Sequence, residues 1–496
     1  MRKNGYLKLY FIITSLIVLL ILINSYVILP LDYLPDQNYK FIEGDPNIKT
    51  KSKEEFMKQL YFKKLITKFE IGTPAKTQTF LLDSDSNYYY LDTLTPPENS
   101  QGQCKLSEFY KFEKNEYYDE TSSTSYVQDE CKTVKHDFNE YDEICYSKEK
   151  VAFNINGNST NLEFPIVVIK NHDESISGLI GMSINDTMPT NYKSFLSELK
   201  LKNLINDYFW FFDFDEFSPF EKKIKGKFVI GDLPHNIFPE KYDKENYHQT
   251  SAYRSSSLWT LEMSNAYIVN KTEEYHFSNT DVTLFYEFYH AIGTKEFLEN
   301  IKSKFLQKLI DEKKCFSGSF SQNIYSDSDL LFYYCDKSVK DILYENIPGI
   351  NFESKQLKYT FKLTKEELFY IKDDYIYFMV LFTKSYYNNW IIGQMLTSKY
   401  HFVFNTDQRQ IGFYEQVNIV DDSLQVNIVD DSLINVNSSN IWAYLTFTAL
   451  LFIAIGIVIG IVIGIKYCGK KQRKKRANEL LDSNEYNDNN NNDNIN

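Results

Sequence analysis

The chain is short of positive charge, and this limits its partners. Lysine and arginine together number 54, against 67 aspartate and glutamate residues, and the net charge is −13. A protein that binds the phosphate backbone of nucleic acid carries a basic face, so this balance argues against a nucleic-acid partner. The composition alone therefore argues against a nucleic-acid-binding protein.

Histidine is also scarce. The chain has seven histidines in 496 residues, and they show no clustering of the kind that metal ligands have. His235, His276 and His290 are expected to be surface or half-buried residues. We therefore predict no metal site and no cofactor.

Cysteine is rare as well, with six in the chain. Cys468 lies near the C-terminus, and Cys315 and Cys335 are the only two between residues 216 and 440, so we expect them to form a disulfide. Cys104, Cys131 and Cys145 cannot all pair with one another. Of their pairings we favour Cys104–Cys131, which leaves one thiol over.

Long apolar runs are limited to two, and they frame the chain. Residues 9–29 follow a basic N-terminus, and residues 441–465 precede the basic stretch KYCGKKQRKKR. Each is about long enough to cross a bilayer, and basic flanks stay in the cytosol. The first run is expected to be an uncleaved signal anchor, with a cleaved signal peptide as the alternative. The sequence therefore predicts a membrane protein of the secretory pathway or cell surface, with its main domain luminal or extracellular and its C-terminal tail cytosolic.

Two further patterns belong to this predicted topology. Glycosylation sequons begin at four asparagines on the predicted luminal side, namely Asn158, Asn185, Asn270 and Asn437. Three glycines of the second apolar run are spaced four apart, which aligns them on one helix face and suggests self-association. They are Gly456, Gly460 and Gly464.

Between the two apolar runs, the sequence predicts one mainly β domain. Short runs with period-two alternation dominate, and two stretches, 194–204 and 294–314, have a helical pattern. The nine residues QVNIVDDSL occur twice in succession and predict a stalk. The predicted segments are a cytosolic N-terminus at 1–8, the first apolar run at 9–29, a connector at 30–58, the β domain at 59–415, the stalk at 416–440, the second apolar run at 441–465 and a disordered cytosolic tail at 466–496.

Several motifs within the β domain occur in a family order. FEIGTP at 69–74 is followed by a strand that ends in Asp83-Ser84-Asp85, and the apolar pairs before Gly181 and Gly393 follow later in the chain. This set resembles the pepsin-like aspartic peptidases, or eukaryotic aspartyl proteases. The resemblance implies a bilobal, mainly β fold with lobes at about 59–215 and 216–415. It also implies that the disulfide of the second lobe is Cys315–Cys335.

The chemistry of that family requires two aspartates, one from each lobe. Two carboxyls so close together cannot both ionise, so they share one proton; the ionised member activates water and the protonated member donates to the scissile carbonyl. The resemblance places Asp83 at the first catalytic position. Ser84 and Asp85 then support it in the loop.

The second catalytic position is predicted to be altered. The best match to the family's second loop is Asn279-Thr280-Asp281, which puts Asn279 where an aspartate is required. An amide cannot share a proton as a carboxyl does. A register shift of two would place Asp281 there instead, and a rebuilt pair of Asp85 and Asp281 is a further alternative.

These observations predict a membrane-anchored, catalytically impaired aspartic peptidase homologue. Its luminal or extracellular part would have a binding or scaffold role, with a peptide or protein ligand in the cleft. The alternative is an active, divergent endopeptidase, which a carboxyl across the cleft from Asp83 would favour. A second alternative is a structural or adhesion ectodomain, which a cleft filled by its own side chains would favour.

Overall fold

The structure, a computed structural model, describes most of the predicted β domain. The described residues are 25–34, 51–61, 63–84, 86, 89–93, 117–135, 141–170, 177–184, 193–221, 223–253, 258–270, 274–277, 281–321, 329–383 and 389–415. The predicted stalk and the predicted tail lie outside these ranges. Most of the two apolar runs also lies outside them, including the glycines at 456, 460 and 464. So do Cys104, Asn185 and Asn437.

Strands make up most of the described chain, as the alternating pattern predicts. In chain order they are β1 Val27–Tyr33, β2 Leu65–Ile71, β3 Lys76–Asp83, β4 Tyr89–Asp92, β5 Val127–Lys135, β6 Tyr141–Ile155, β7 Asn158–Lys170, β8 Gly178–Gly181, β9 Phe209–Ser218, β10 Lys223–Ile230, β11 Tyr247–Ser251, β12 Thr260–Leu261, β13 Asn265–Val269, β14 Glu274–Phe277, β15 Val282–Leu284, β16 Ala291–Gly293, β17 Cys315–Ser321, β18 Asp329–Asp336, β19 Gly349–Ser354, β20 Tyr359–Thr364, β21 Phe369–Lys372, β22 Tyr375–Thr383, β23 Trp390–Ile392, β24 Val403–Asn405 and β25 Gln410–Tyr414.

Helices are short and lie between the strands. They are α1 Lys51–Tyr61, α2 Phe195–Leu201, α3 Pro234–Ile237, α4 Lys295–Ile301, α5 Gln307–Asp311, α6 Lys340–Asn346, α7 Lys365–Leu368 and α8 Gln394–Thr397, with a π-helical turn at Lys302–Leu306 and 3₁₀ turns at Glu120–Ser122, Lys244–Asn246 and Lys337–Val339. The two stretches with a helical pattern contain α2 and α4–α5. In the described ranges, no helix has the length and apolarity needed to cross a membrane.

The described strands form three sheets, and we use first lobe and second lobe for the two parts of the domain that the resemblance predicts. The largest sheet has the order β11-β25-β24-β9-β10-β1-β2-β3-β8-β4-β7-β6-β5, and so runs from strands shared by both lobes into the first lobe. The second lobe holds an eight-stranded sheet around β15, β23 and β22, and a four-stranded sheet β14-β13-β19-β20. The predicted lobe boundary at residue 215 falls inside β9, which belongs to the shared part.

Strand β1 corrects two predicted boundaries. It lies in the middle of the large sheet, where it pairs with β10 on one side and with β2 and β6 on the other. Val27, Leu29 and Leu31 alternate with more exposed residues and are at most 3 % exposed. Residues 27–29 are therefore a core strand rather than the end of the first apolar run. The predicted connector at 30–58 likewise contains part of β1 and most of α1, so the domain begins before residue 59.

The two disulfides occupy matching places in the two lobes. Cys315 and Cys335 lie directly opposite each other in the β17–β18 hairpin and are bonded, which confirms the predicted pair. Cys131 and Cys145 lie opposite each other in the β5–β6 hairpin and are bonded. The favoured pairing of Cys104 with Cys131 is therefore wrong. Direct opposition across a hairpin brings the two sulfurs together, and no sequence signal separated this pairing from the other two.

An aromatic core fills the space beneath the junction of the lobes. Trp210 packs against Trp259, Tyr286 and Phe404, with ring centroids 4.2–5.8 Å apart. The indole N–H of Trp259, in the second lobe, donates to the carbonyl of Met182 in the first at 2.7 Å. This core fixes the position of the loops that follow β3 and β15.

Candidate active site

The loop that follows β3 holds Asp83 where the sequence predicts it. Asp83 is the last residue of β3 and pairs in parallel with Gly181 at the end of β8. A side chain at Gly181 would overlap the carbonyl oxygen of Ser86, so the glycine allows the loop to pack over β8. Ser84 is 1 % exposed, while Asp83 is half-buried. Asp85 lies outside the described residues.

The second lobe repeats this arrangement and identifies the matching residue. Strand β15 pairs in parallel with β23, with Leu284 opposite Ile392, so the next residue, Phe285, stands beside Gly393. A side chain at Gly393 would overlap the carbonyl oxygen of Phe288, three residues after Phe285, as Ser86 is three residues after Asp83. Phe285 therefore occupies the position that corresponds to Asp83.

The number of residues between the end of the first strand and the start of the next gives the same correspondence. Tyr89 pairs with Ile180 in the first lobe, and Ala291 pairs with Ile392 in the second. Tyr89 lies six residues after Asp83, and Ala291 lies six residues after Phe285. The loop Asp83-Ser84-Asp85 thus corresponds to Phe285-Tyr286-Glu287.

This correspondence corrects the predicted register of the second loop. Asn279 and Thr280 lie outside the described residues, but Asn279 precedes Phe285 by six positions. Asp281 lies at the far end of β15, four residues from Phe285, or about 13 Å along an extended strand. Its carboxylate accepts from the Met263 N–H at 3.4 Å. The shifted register is therefore wrong as well. The rebuilt pair of Asp85 and Asp281 stays a prediction, because Asp85 lies outside the described residues.

Glu287 brings an unpredicted carboxylate to the centre of the site. One of its oxygens accepts hydrogen bonds from the Ser84 N–H and hydroxyl, at 2.6 and 2.5 Å. The other oxygen accepts from the Lys64 ammonium at 3.0 Å, and the Glu287 side chain is 13 % exposed. The carboxylate therefore joins the first lobe, the second lobe and the residue just before β2.

The surroundings of Glu287 keep it ionised. Burial by itself raises its pKa, but the Lys64 charge and the hydrogen bonds from Asp83 and Ser84 outweigh that effect and lower the pKa to about 2. Glu287 is therefore a negatively charged group that is in contact with Ser84 of the first loop and with Lys64.

Tyr286 makes a second connection between the lobes. It stands where the first lobe has Ser84, its ring is 1 % exposed, and its hydroxyl donates to the Asp83 carbonyl at 2.8 Å. The Tyr286 carbonyl accepts from the Gln394 amide at 2.8 Å, and the Gln394 side-chain oxygen accepts from the Tyr33 hydroxyl at 2.7 Å. This buried chain of hydrogen bonds runs from β1 to Asp83.

The end of α1 covers the second loop. The Tyr61 ring stacks on Phe288 at 5.1 Å and meets Phe320 of the β17–β18 hairpin edge-on at 5.7 Å. Phe288 in turn stacks on Phe285 at 5.8 Å. Aromatic rings and Lys64 thus surround the second loop, and they all come from this chain itself.

Phe285 and Glu287 were missed because the match was made by residue type. Asn279-Thr280-Asp281 looks polar like a catalytic loop, whereas Phe285-Tyr286-Glu287 does not. The position in the strand carried a better signal, since an apolar strand should end directly at the catalytic residue and the next strand should begin six residues later. Applied to VTLFYEFYHAIG, that rule selects Phe285.

Comparison with known families agrees with this geometry. The model of the family described as eukaryotic aspartyl protease matches residues 64–416. A comparison with curated proteins finds no match. The family match begins one residue before β2, includes both loops and covers more than half of the chain. The chain therefore belongs to the eukaryotic aspartyl protease family.

Proposed function

We propose that this protein is a catalytically impaired member of its family, with a binding or scaffold role on the luminal or extracellular side of a membrane. The observation that carries the proposal is Phe285 at the position that corresponds to Asp83. A phenyl ring can neither share a proton with a carboxyl nor donate one to a scissile carbonyl. Phe285 therefore cannot supply the second carboxyl that the family reaction needs.

The surroundings of the second loop favour a scaffold role over peptide binding in the cleft. Tyr61 and Lys64 lie against the loop residues that a bound peptide would approach. A protein ligand would then bind another part of the surface. The same proposal includes anchoring through residues 441–465 and through the part of the first apolar run that precedes β1. It also includes a cytosolic tail, self-association through the spaced glycines, and glycosylation. Of the sequon asparagines, Asn158 is exposed and Asn270 is half-buried.

A peptide-library cleavage assay tests the loss of activity. We expect the purified full chain to cleave nothing between about pH 3 and pH 7, and to be indistinguishable from the Asp83→Ala variant. A folded wild-type protein that cleaves peptides, and loses this activity in Asp83→Ala, would show that the proposal is wrong.

One observation favours an active enzyme as a second candidate. A hydrogen bond from Asp83 is one of the causes that lower the pKa of Glu287, so two carboxyls meet here, as they do in the dyad of the family. However, the Ser84 and Lys64 bonds already occupy both oxygens of Glu287. If the pair is catalytic, Asp83→Asn and Glu287→Gln should each abolish a measurable wild-type activity.

A further inference from the structure

The residues of the two loops connect three parts of the chain. We define the N-terminal segment as the described residues 25–34, 51–61 and 63–64. This segment contributes Lys64, the first lobe contributes Ser84, and the second lobe contributes Glu287. We infer that the former catalytic loops form a permanent three-way junction, which fixes the N-terminal segment and both lobes to one another.

The first connection is the buried carboxylate. Each oxygen of Glu287 binds a different part of the chain, because one accepts from Ser84 and the other from Lys64. Lys64 is itself fixed through its backbone, whose carbonyl accepts from the Leu34 N–H at 3.0 Å. Removal of one partner would leave a buried charge without compensation, which is far more costly than the loss of an exposed ion pair.

The second connection is independent of charge. It is the hydrogen-bonded chain from Tyr33 through Gln394 and Tyr286 to the Asp83 carbonyl. Tyr33, Gln394 and Tyr286 are all at most 5 % exposed. Two separate connections therefore join the same three parts of the molecule at one place.

The N-terminal segment is also packed as part of the core. Phe56, Met57 and Leu60 of α1 are at most 7 % exposed. The Phe56 ring lies 4.8 Å from Tyr377 and 5.5 Å from Tyr370. With β1 in the middle of the large sheet, the segment is held at both of its ends. The junction rests on the proposed function, because loops engaged in this way are not available to a substrate.

A matched pair of lysine variants tests the junction. Lys64 and Lys399 each contact a glutamate at 3.0 Å, with lysine side chains 22 % and 19 % exposed, but the Lys399–Glu367 pair lies wholly within the second lobe. Amide hydrogen exchange of the full chain would be compared for Lys64→Met and Lys399→Met. We expect Lys64→Met to lower protection by roughly 100-fold at β1, at 81–84 and at 284–287 together. Lys399→Met should affect only the region near Glu367.

A double variant completes the test. Glu287→Gln alone should reproduce the pattern of Lys64→Met, while Lys64→Met combined with Glu287→Gln should recover part of the protection, because no unpaired charge remains. Additive losses, or a Lys64→Met effect confined to one of the three parts, would overturn the junction. If Lys64→Met does not fold, Glu287→Gln gives the same comparison. Exchange does not depend on cleavage, so these results separate the junction from the loss of activity.

Discussion

At the scale of single residues, two buried titratable groups near the second loop make the fold more stable at neutral than at acidic pH. Glu287 is a carboxylate with a pKa lowered to about 2. His290, three residues later, is completely buried, and neither of its ring nitrogens has a hydrogen-bond partner among the described residues. Burial lowers its pKa to about 3, so the ring is neutral in the folded protein. The His290 ring lies beside the end of α1, with its centroid 6.4 Å from that of Tyr61.

These two groups predict how stability changes with pH. The unfolded chain protonates His290 near pH 6.5 but the folded chain only near 3, so stability falls as pH falls through this window, by about 5 kcal/mol. Glu287 stabilises the fold fully above pH 4.5, and this contribution is lost as pH falls below that value, because the pKa of the folded state is lowered. Denaturant unfolding between pH 7 and pH 3 should show a decrease in the free energy of unfolding.

Variants assign that decrease to its sources. His290→Phe should flatten the profile between pH 6.5 and 3, and Glu287→Gln should flatten its part below pH 4.5. His276→Phe is the control, since that side chain is 54 % exposed. A wild-type profile that is level, or one that His276→Phe changes as much as His290→Phe, would contradict this explanation.

At the scale of elements, β1 decides where the domain begins. A chain that starts at residue 59 would leave the edge of β10 that pairs with β1 open and would expose the apolar face on which Val27, Leu29 and Leu31 pack. We expect this chain to be insoluble or to unfold at much lower denaturant concentration than a chain that starts at residue 25. Circular dichroism and denaturant melts of the two chains measure the difference. Equal stability would show that β1 is dispensable.

The sequence predicted some elements well and others poorly, for physical reasons. The strand that ends at Asp83 and the strand before Gly393 carry both a residue pattern and a glycine that the close packing requires. β1 has neither, because a core strand and the end of an apolar run are equally apolar, and only pairing with β10 distinguishes them. The hairpin disulfide of the first lobe depended on strand register, which the spacing of Cys131 and Cys145 alone did not supply.

At the scale of the whole molecule, the two lobes keep the same plan but differ at the central loops. Both have a strand, a loop over a glycine and a hairpin closed by a disulfide. The fold was therefore predictable from motifs that recur in both halves. The site was predictable only in the first lobe, because the second has Phe285 where the family requires an aspartate. A phenylalanine does not keep the chemical type by which a loop of this kind is recognised.

The central claim is that Phe285 has taken the place of the second catalytic carboxyl, and ligand binding tests this claim most directly. A peptide whose scissile amide is replaced by a hydroxyl-bearing tetrahedral carbon mimics the reaction intermediate, and such analogues bind a working site far more tightly than substrates do. Calorimetry detects this binding even when turnover is too slow to measure. We predict no heat of binding to the full chain at pH 4 or pH 7, for the wild type or for Asp83→Ala. Tight binding to the wild type that disappears in Asp83→Ala would show that the two loops still form a catalytic centre.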